Sequence, residues 1–224
     1  MPTATAENYL KQLYHEQHAG GGKLVQMGQL AAAMGVTPGT ATAMVKSLTR
    51  SGWAVYAPRR GVHLTRRGER LALAVVRRHR LLELFLSKVL GLDWSEVHEE
   101  AELLEHAVSE KVLEKIDILL GRPKEDPHGD PIPSASGTLS KPHTGTLADC
   151  PLNQPVHIVR IMDADQDRDF LHFLDRNGLI PGAVVTVRQR HLAAQAIQID
   201  IPEHAPIAVG TTAAKRILVK AKTA

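Results

Sequence analysis

Residues 123–150, PKEDPHGDPIPSASGTLSKPHTGTLADC, divide the chain more sharply than any other feature. Proline lacks the backbone N–H that helices and ladders need, and glycine, serine and threonine favour turns. A stretch so rich in these residues is expected to be an extended linker with a separate core on each side. Before it, apolar residues recur at helical spacing; after it, short β-branched runs take over. Aromatics are only 4% of the 224 residues, so both cores must rest on aliphatic side chains. The single cysteine, Cys150, excludes an internal disulfide framework, a Cys-rich zinc finger and a four-thiolate cluster within one chain.

The first 65 residues follow a definite order. Tyr9, Leu10, Leu13 and Tyr14 mark a helix that ends at Gly20-Gly21-Gly22, and Leu24–Met34 predicts a second, with Leu30, Ala31 and Met34 on one face. Thr37 then suits an N-cap and Pro38 the first position of a third helix, Pro38–Arg50, with Ala41, Val45 and Leu48 inward. Residues 53–56 and 62–65 read as two strands joined by a tight turn. Helix, helix, turn, helix, hairpin is the order of a winged helix-turn-helix. Charge agrees: residues 1–80 hold 12 Lys or Arg against 3 Asp or Glu, which calls for a polyanion. Thr37, Pro38, Gly39, Thr40 and Thr42 place small and hydroxyl-bearing groups where the third helix would meet a double-stranded DNA operator. Lys46, Arg50, Arg59 and Arg60 are candidate phosphate contacts.

The middle of the chain reverses that charge. Residues 81–131 hold 5 Lys or Arg against 13 Asp or Glu. Arg66–Leu90 predicts a long amphipathic helix with six arginines between 66 and 80 and an apolar row at Leu71, Val75, Leu82, Phe85 and Val89. Another helix is expected from Trp94-Ser95 through Ser109 or further, with Val97, Ala101, Leu104, Val108 and Val112 as its stripe. A homodimer is the economical way to bury such faces. On one continuous helix, His98, Glu102, Glu105 and His106 would share an arc of about 100°, a set suited to a divalent transition metal. His79 and Glu83, spaced i and i+4, form a second candidate pair. A metalloprotease motif fails on spacing, because position 102 is Glu rather than His and Ala19 follows His15-Glu16-Gln17-His18. Two rival readings remain open at this point: a metal-dependent hydrolase using residues 98–106, and metal-independent DNA binding with the acidic cluster as a solvated face.

Beyond Pro151, Val156–Ile161, Ala183–Val187, Ile197–Ile201 and Ile217–Val219 read as strands, with a brief helix at Phe170–Arg176. They predict a small β-barrel. No apolar run approaches the roughly 20 residues of a membrane helix, and the polar start MPTATAENYL has no leader-like core. The expectation is a cytoplasmic protein with no membrane partner.

The whole pattern resembles the diphtheria toxin repressor family of metal-dependent transcriptional regulators. Glu7-Asn8-Tyr9-Leu10, Arg78-His79-Arg80-Leu81-Leu82-Glu83, the run from Val97 to Ser109, Leu120-Gly121-Arg122-Pro123 and the stretch from Pro127 to Pro133 carry the likeness. It is most similar to the three-domain, manganese-responsive branch found in streptococcal-type regulators. The resemblance implies a mostly α chain with a smaller β part: a winged helix-turn-helix at 1–65, a helical dimerisation and metal-binding domain at 66–122, the linker at 123–150, and an SH3-like, ferrous-transport-A-type barrel at 151–224.

The resemblance also implies a ligand set. Glu102, Glu105 and His106 match the main regulatory metal site, with Asn8 as its remaining side-chain ligand. His79, Glu83 and His98 match an ancillary site, which in the manganese branch also draws on Asp126, His128 and an acidic residue of the barrel, here Asp163 or Asp169. Asn8 stands where manganese regulators commonly have Asp and iron regulators Met, and Glu102 stands where iron-selective members have Cys. Oxygen in place of sulfur favours Mn2+ over Fe2+ or Ni2+. The implied function is a homodimeric, Mn2+-dependent repressor of metal-uptake genes, with an Fe2+-dependent repressor as the nearest alternative.

Overall fold

The computed structural model describes residues 2–139, 145–162 and 167–221. They form two compact units whose boundary crosses the longest helix after His79. The first unit holds residues 2–79 with 105–108 and 133–138; the second holds 80–104, 109–132 and the described residues from 139 onward.

In the first unit, α1 (Ala4–Ala19) starts where Thr3 Oγ1 accepts from Ala6 N, and α2 (Met27–Ala33) and α3 (Pro38–Arg50) follow. β1 (Ala54–Ala57) and β2 (Gly61–Leu64) pair antiparallel, and the opening turns of α4 (Arg66–Lys88) complete the unit. Leu10, Leu13, Leu30, Ala41, Val45, Leu48 and Val62 make its dry centre. This is the winged helix-turn-helix order expected from the sequence. One difference is local: α2 starts at Met27, not Leu24, because Val25 exchanges two 2.9 Å backbone hydrogen bonds with Val62. Gly61 permits that pairing, since at φ 123° a Cβ there would lie 2.5 Å from the Val25 carbonyl oxygen.

In the second unit, the rest of α4 is followed by α5 (Val97–Leu104) and α6 (Glu110–Leu119). The single helix expected from Trp94 to Ser109 is therefore broken. Ser109 caps α6 by accepting from Val112 N, and residues 105–107 form a turn. Six strands form one antiparallel sheet in the order β3-β8-β4-β5-β6-β7. They are β3 (Gly145–Thr146), β4 (Pro155–Ile161), β5 (Val184–His191), β6 (Ala196–Asp200), β7 (Ile207–Gly210) and β8 (Ile217–Ala221). α7 (Arg168–Arg176) and α8 (Thr211–Arg216) complete the unit. Alternate residues such as Val185 and Val187, or Ile197 and Ile199, fill the core with Leu171 and Leu174 of α7.

The expected linker is only partly a linker. Leu147, Ala148 and Cys150 belong to the core of the sheet, and Asp126, His128 and residues 129–133 are buried. Burial pushes the Cys150 thiol up, and its Sγ donates to the Leu147 carbonyl, so it is an inert packing group. No helix among the described residues is long and apolar enough to cross a membrane.

Candidate metal centre and nucleic-acid face

Burying Tyr9, Leu10, Leu13 and Tyr14 fixes the rotation of α1 and so places Glu7, Asn8 and Lys11. In the same unit lies Glu105, whose side chain is fully buried. Lys11 Nζ donates to both of its oxygens, at 2.8 and 3.1 Å, and His79 Nδ1 donates to Oε2 at 2.7 Å. Burial by itself would raise the Glu105 carboxyl, but the His79 hydrogen bond and the Lys11 ammonium outweigh it and hold the group below its ordinary value. His106 Nδ1 meets Glu7 Oε2 at 2.6 Å, and its Nε2 lies 3.4 Å from Glu105 Oε1.

Among the buried atoms here that lack hydrogen-bond partners are Asn8 Oδ1 and His106 Nε2. Both are lone-pair donors, and buried polar atoms are rarely left unmatched. An amide oxygen, an imidazole nitrogen and a carboxylate in one unit suit a divalent cation with O and N preference.

The second unit carries another cluster. Glu83 on α4 and Asp126 and His128 on the loop after α6 offer ligand atoms within 4.8 Å of one another, all buried. His98 Nδ1 lies 3.3 Å from Glu83 Oε1. His128 Nε2 lies 2.8 Å from the Trp94 carbonyl, which can only accept. In the neutral ring its Nδ1 keeps the lone pair, and that atom is buried without a hydrogen-bond partner. Asp126 Oδ1 accepts from the backbone N–H groups of His128 and Asp130, both at 2.9 Å. Arg80 ties the loop down, donating to the Pro131 carbonyl at 2.7 Å and to Asp130 at 3.2 Å. Gly129 lets it lie flat, since a Cβ would fall 2.0 Å from the Val159 carbonyl oxygen. Burial first, then the Asp130 and Glu83 carboxylates, raise Asp126 well above its ordinary value. A bound cation would relieve all three groups.

The ligand candidates thus divide. Asn8, His79, Glu105 and His106 lie in the first unit; Glu83, His98, Glu102, Asp126 and His128 lie in the second. Glu102 is half-buried, 3.8 Å from His98 Nε2 on the same helix. The expectation that 98, 102, 105 and 106 share one helical arc is corrected: α5 ends at Leu104, before Glu105 and His106. Extending it would carry the Glu105 carboxylate along the negative end of the helix dipole, whereas the turn delivers it to Lys11 and His79. Asp169 is exposed in the first turn of α7, where it complements the helix dipole. Asp163 lies outside the described residues. Sequence reasoning overlooked Glu7, Lys11 and Arg78 as supporting groups. Glu7 stood within a quoted motif and is spaced i, i+4 from Lys11, but its link to His106 spans 99 residues and has no local signal.

The residues expected to meet DNA lie in the first unit. Thr37, Pro38, Gly39, Thr40, Lys46, Arg50, Arg59 and Arg60 are all exposed. Thr37 Oγ1 caps α3 by accepting from Thr40 N at 3.2 Å. Thr42 is half-buried and its hydroxyl donates to the Pro38 carbonyl, so its proton is already used within the helix. Arg59 sits at the hairpin tip with φ 64°, and Gln26 Nε2 grips the Arg60 carbonyl at 2.8 Å. The tip is thereby anchored while its guanidinium groups stay free of the core.

Fold and ligand chemistry together define a metal-dependent DNA-binding regulator. Family models match in chain order: the iron dependent repressor N-terminal DNA binding domain at residues 1–62, its metal binding and dimerisation domain at 65–134, and a FeoA domain at 145–221. A solved manganese-dependent transcriptional repressor in complex with manganese is 37% identical, with a TM-score of 0.86, covering 97% of this chain and 100% of that one. The iron-dependent repressor IdeR of Mycobacterium tuberculosis is 34% identical over 193 residues, 82% of this chain and 83% of its own. The transcriptional regulator MntR of Lysinibacillus sphaericus is 34% identical over 127 residues, 57% of this chain and 89% of its own. The chain belongs to the diphtheria toxin repressor family of metal-dependent transcriptional repressors. Members of that family are repressors and not enzymes, so the hydrolase alternative is set aside.

Proposed function

We propose that the protein is a cytoplasmic, homodimeric repressor of metal-uptake genes that binds its operator when loaded with Mn2+. The observation that carries this reading is the pair of buried, unmatched lone pairs on Asn8 Oδ1 and His106 Nε2 in the unit that holds the Glu105 carboxylate. Glu102 would complete the main site. His79, Glu83, His98, Asp126 and His128 would hold an ancillary ion, with Asp163 or Asp169 as a further acidic ligand.

A bound divalent ion would supply the positive charge that draws these oxygens and nitrogens together. Asn8 belongs to α1 of the DNA-binding unit, so ligation there would act on the unit that carries the recognition helix α3. In a dimer, two such helices must match half-sites about one helical turn apart, or a multiple of it. None of the proposed ligands is a sulfur atom, which favours Mn2+; the similarity to the iron-dependent repressor IdeR makes Fe2+ the second reading.

The test is an anisotropy titration against a genomic DNA pool at one ionic strength, with chelator, Mn2+, anaerobic Fe2+ or Zn2+. Binding that appears with Mn2+ and vanishes with chelator is the expected result. Stronger activation by Fe2+ at equal free concentration would select the second reading. Equal binding under every condition would remove the metal switch.

A further inference from the structure

We propose that Glu7 is the positioning residue of the metal centre: held by Arg78, its carboxylate sets which ring nitrogen of His106 faces the ion. The inference rests on the metal-responsive reading above and deepens it at the same site.

Glu7 lies in the first turn of α1, and its two oxygens have different partners. Oε1 accepts from Arg78 Nη2 at 2.7 Å, and Oε2 lies 2.6 Å from His106 Nδ1. A carboxylate can only accept, so Nδ1 carries the proton, which in the neutral ring leaves the lone pair on Nε2. That Nε2 is the atom found buried, without a hydrogen-bond partner, 3.4 Å from Glu105 Oε1. All three side chains of the relay are largely shielded, at 13% exposure for Arg78, 12% for Glu7 and 17% for His106. Shielding keeps water from replacing Glu7 as the acceptor, and the guanidinium keeps the carboxylate from turning away.

Consecutive residues of α1 therefore have separate tasks. Asn8 offers its amide oxygen to the ion, whereas Glu7 stands behind the imidazole and holds the ring in its ligating tautomer. A carboxylate behind a ligating histidine also raises the basicity of the ligating nitrogen, and loss of such a partner costs about 10–100-fold in metal affinity.

The experiment uses the full chain with ring-15N-labelled histidine. Long-range 1H–15N spectra would report the His106 tautomer, assigned by comparison with His106→Gln. Competition with a chromogenic chelator would give the Mn2+ affinity of wild type, Glu7→Ala, Glu7→Gln and His106→Ala. The expected wild-type spectrum has Nδ1 protonated. In Glu7→Ala the tautomers should mix and Mn2+ affinity should fall by about 10–100-fold. Glu7→Gln is nearly isosteric and keeps an acceptor oxygen, so the tautomer should persist and the loss should be smaller. Mn2+ affinity unchanged in Glu7→Ala, a wild-type ring protonated on Nε2, or equal losses in both Glu7 variants with an unmoved tautomer would each overturn the proposal. A wild type that binds Mn2+ through His106 but ignores Glu7 sinks this inference alone. A wild type that binds no Mn2+ removes the parent reading and this one with it.

Discussion

Asp126 is buried among acidic groups, with Asp130 and Glu83 raising its carboxyl and Arg80 opposing them. The folded state therefore binds its proton more tightly than the unfolded state does. Stability of the metal-free chain should fall as pH rises from the ordinary carboxylate range through the raised Asp126 value. Asp126→Asn keeps the acceptor for the His128 and Asp130 N–H groups while removing the charge. In chelator near neutral pH it should raise Tm by roughly 2–4 °C per ~1 kcal/mol recovered, and the extra Tm that Mn2+ gives wild type should shrink. Thermal melts of both proteins across pH, with and without Mn2+, check this. Asp167 has the opposite sign. The Arg216 hydrogen bond, then the Phe170 N–H, hold it below its ordinary value. Its stabilisation is present above the unfolded value and lost as pH falls through the lowered one, so Asp167→Asn should weaken the chain at pH 7 and converge with wild type in strong acid.

The hairpin, β1 with β2, shows how local geometry serves a distant partner. Gly61→Ala would force a Cβ toward the Val25 carbonyl in the left-handed half of φ space, and should destabilise the first unit by about 1–3 kcal/mol in denaturant titrations. Arg59→Ala or Arg60→Ala should leave folding intact and weaken DNA binding evenly across sequences. Each should reduce the slope of log K against log salt by about 0.9; an unchanged slope would take these residues out of the interface. Much of this element was legible in the sequence, because Thr37-Pro38 announces the start of α3 and its apolar spacing fixes the buried face. The break after Leu104 was not. Val97, Ala101, Leu104, Val108 and Val112 keep helical spacing straight through it, and the groups that hold Glu105 in the turn lie far away in sequence, at Lys11 and His79. The buried part of the expected linker was hidden for the same reason. Arg80 takes the Pro131 carbonyl and Arg77 the Pro133 carbonyl, which lets a proline-rich segment pack without a ladder of its own.

For the whole molecule, the second unit leaves apolar surface that a monomer has no reason to keep. Leu103 is 74% exposed and Leu119 64%, with Val89, Leu104, Val112 and Ile118 exposed as well. A homodimer through this face predicts that Leu119→Glu shifts sedimentation toward monomer and lowers operator affinity without reducing Mn2+ binding at the main site. The order of domains could be read from the chain. What could not be read was the division of the ligand candidates between two units, because spacing along a helix says nothing of the turn that ends it. A cation held in the unit that also binds DNA would couple metal loading to operator binding, and the coupling must run in both directions. The most direct test is the Mn2+ binding isotherm of the full chain with and without saturating operator DNA at fixed ionic strength. Mn2+ affinity should rise with DNA by the same factor by which Mn2+ raises DNA affinity, a coupling of about 1–3 kcal/mol. Superimposable isotherms would contradict the account, because they would mean that the ion and the operator act on the protein independently.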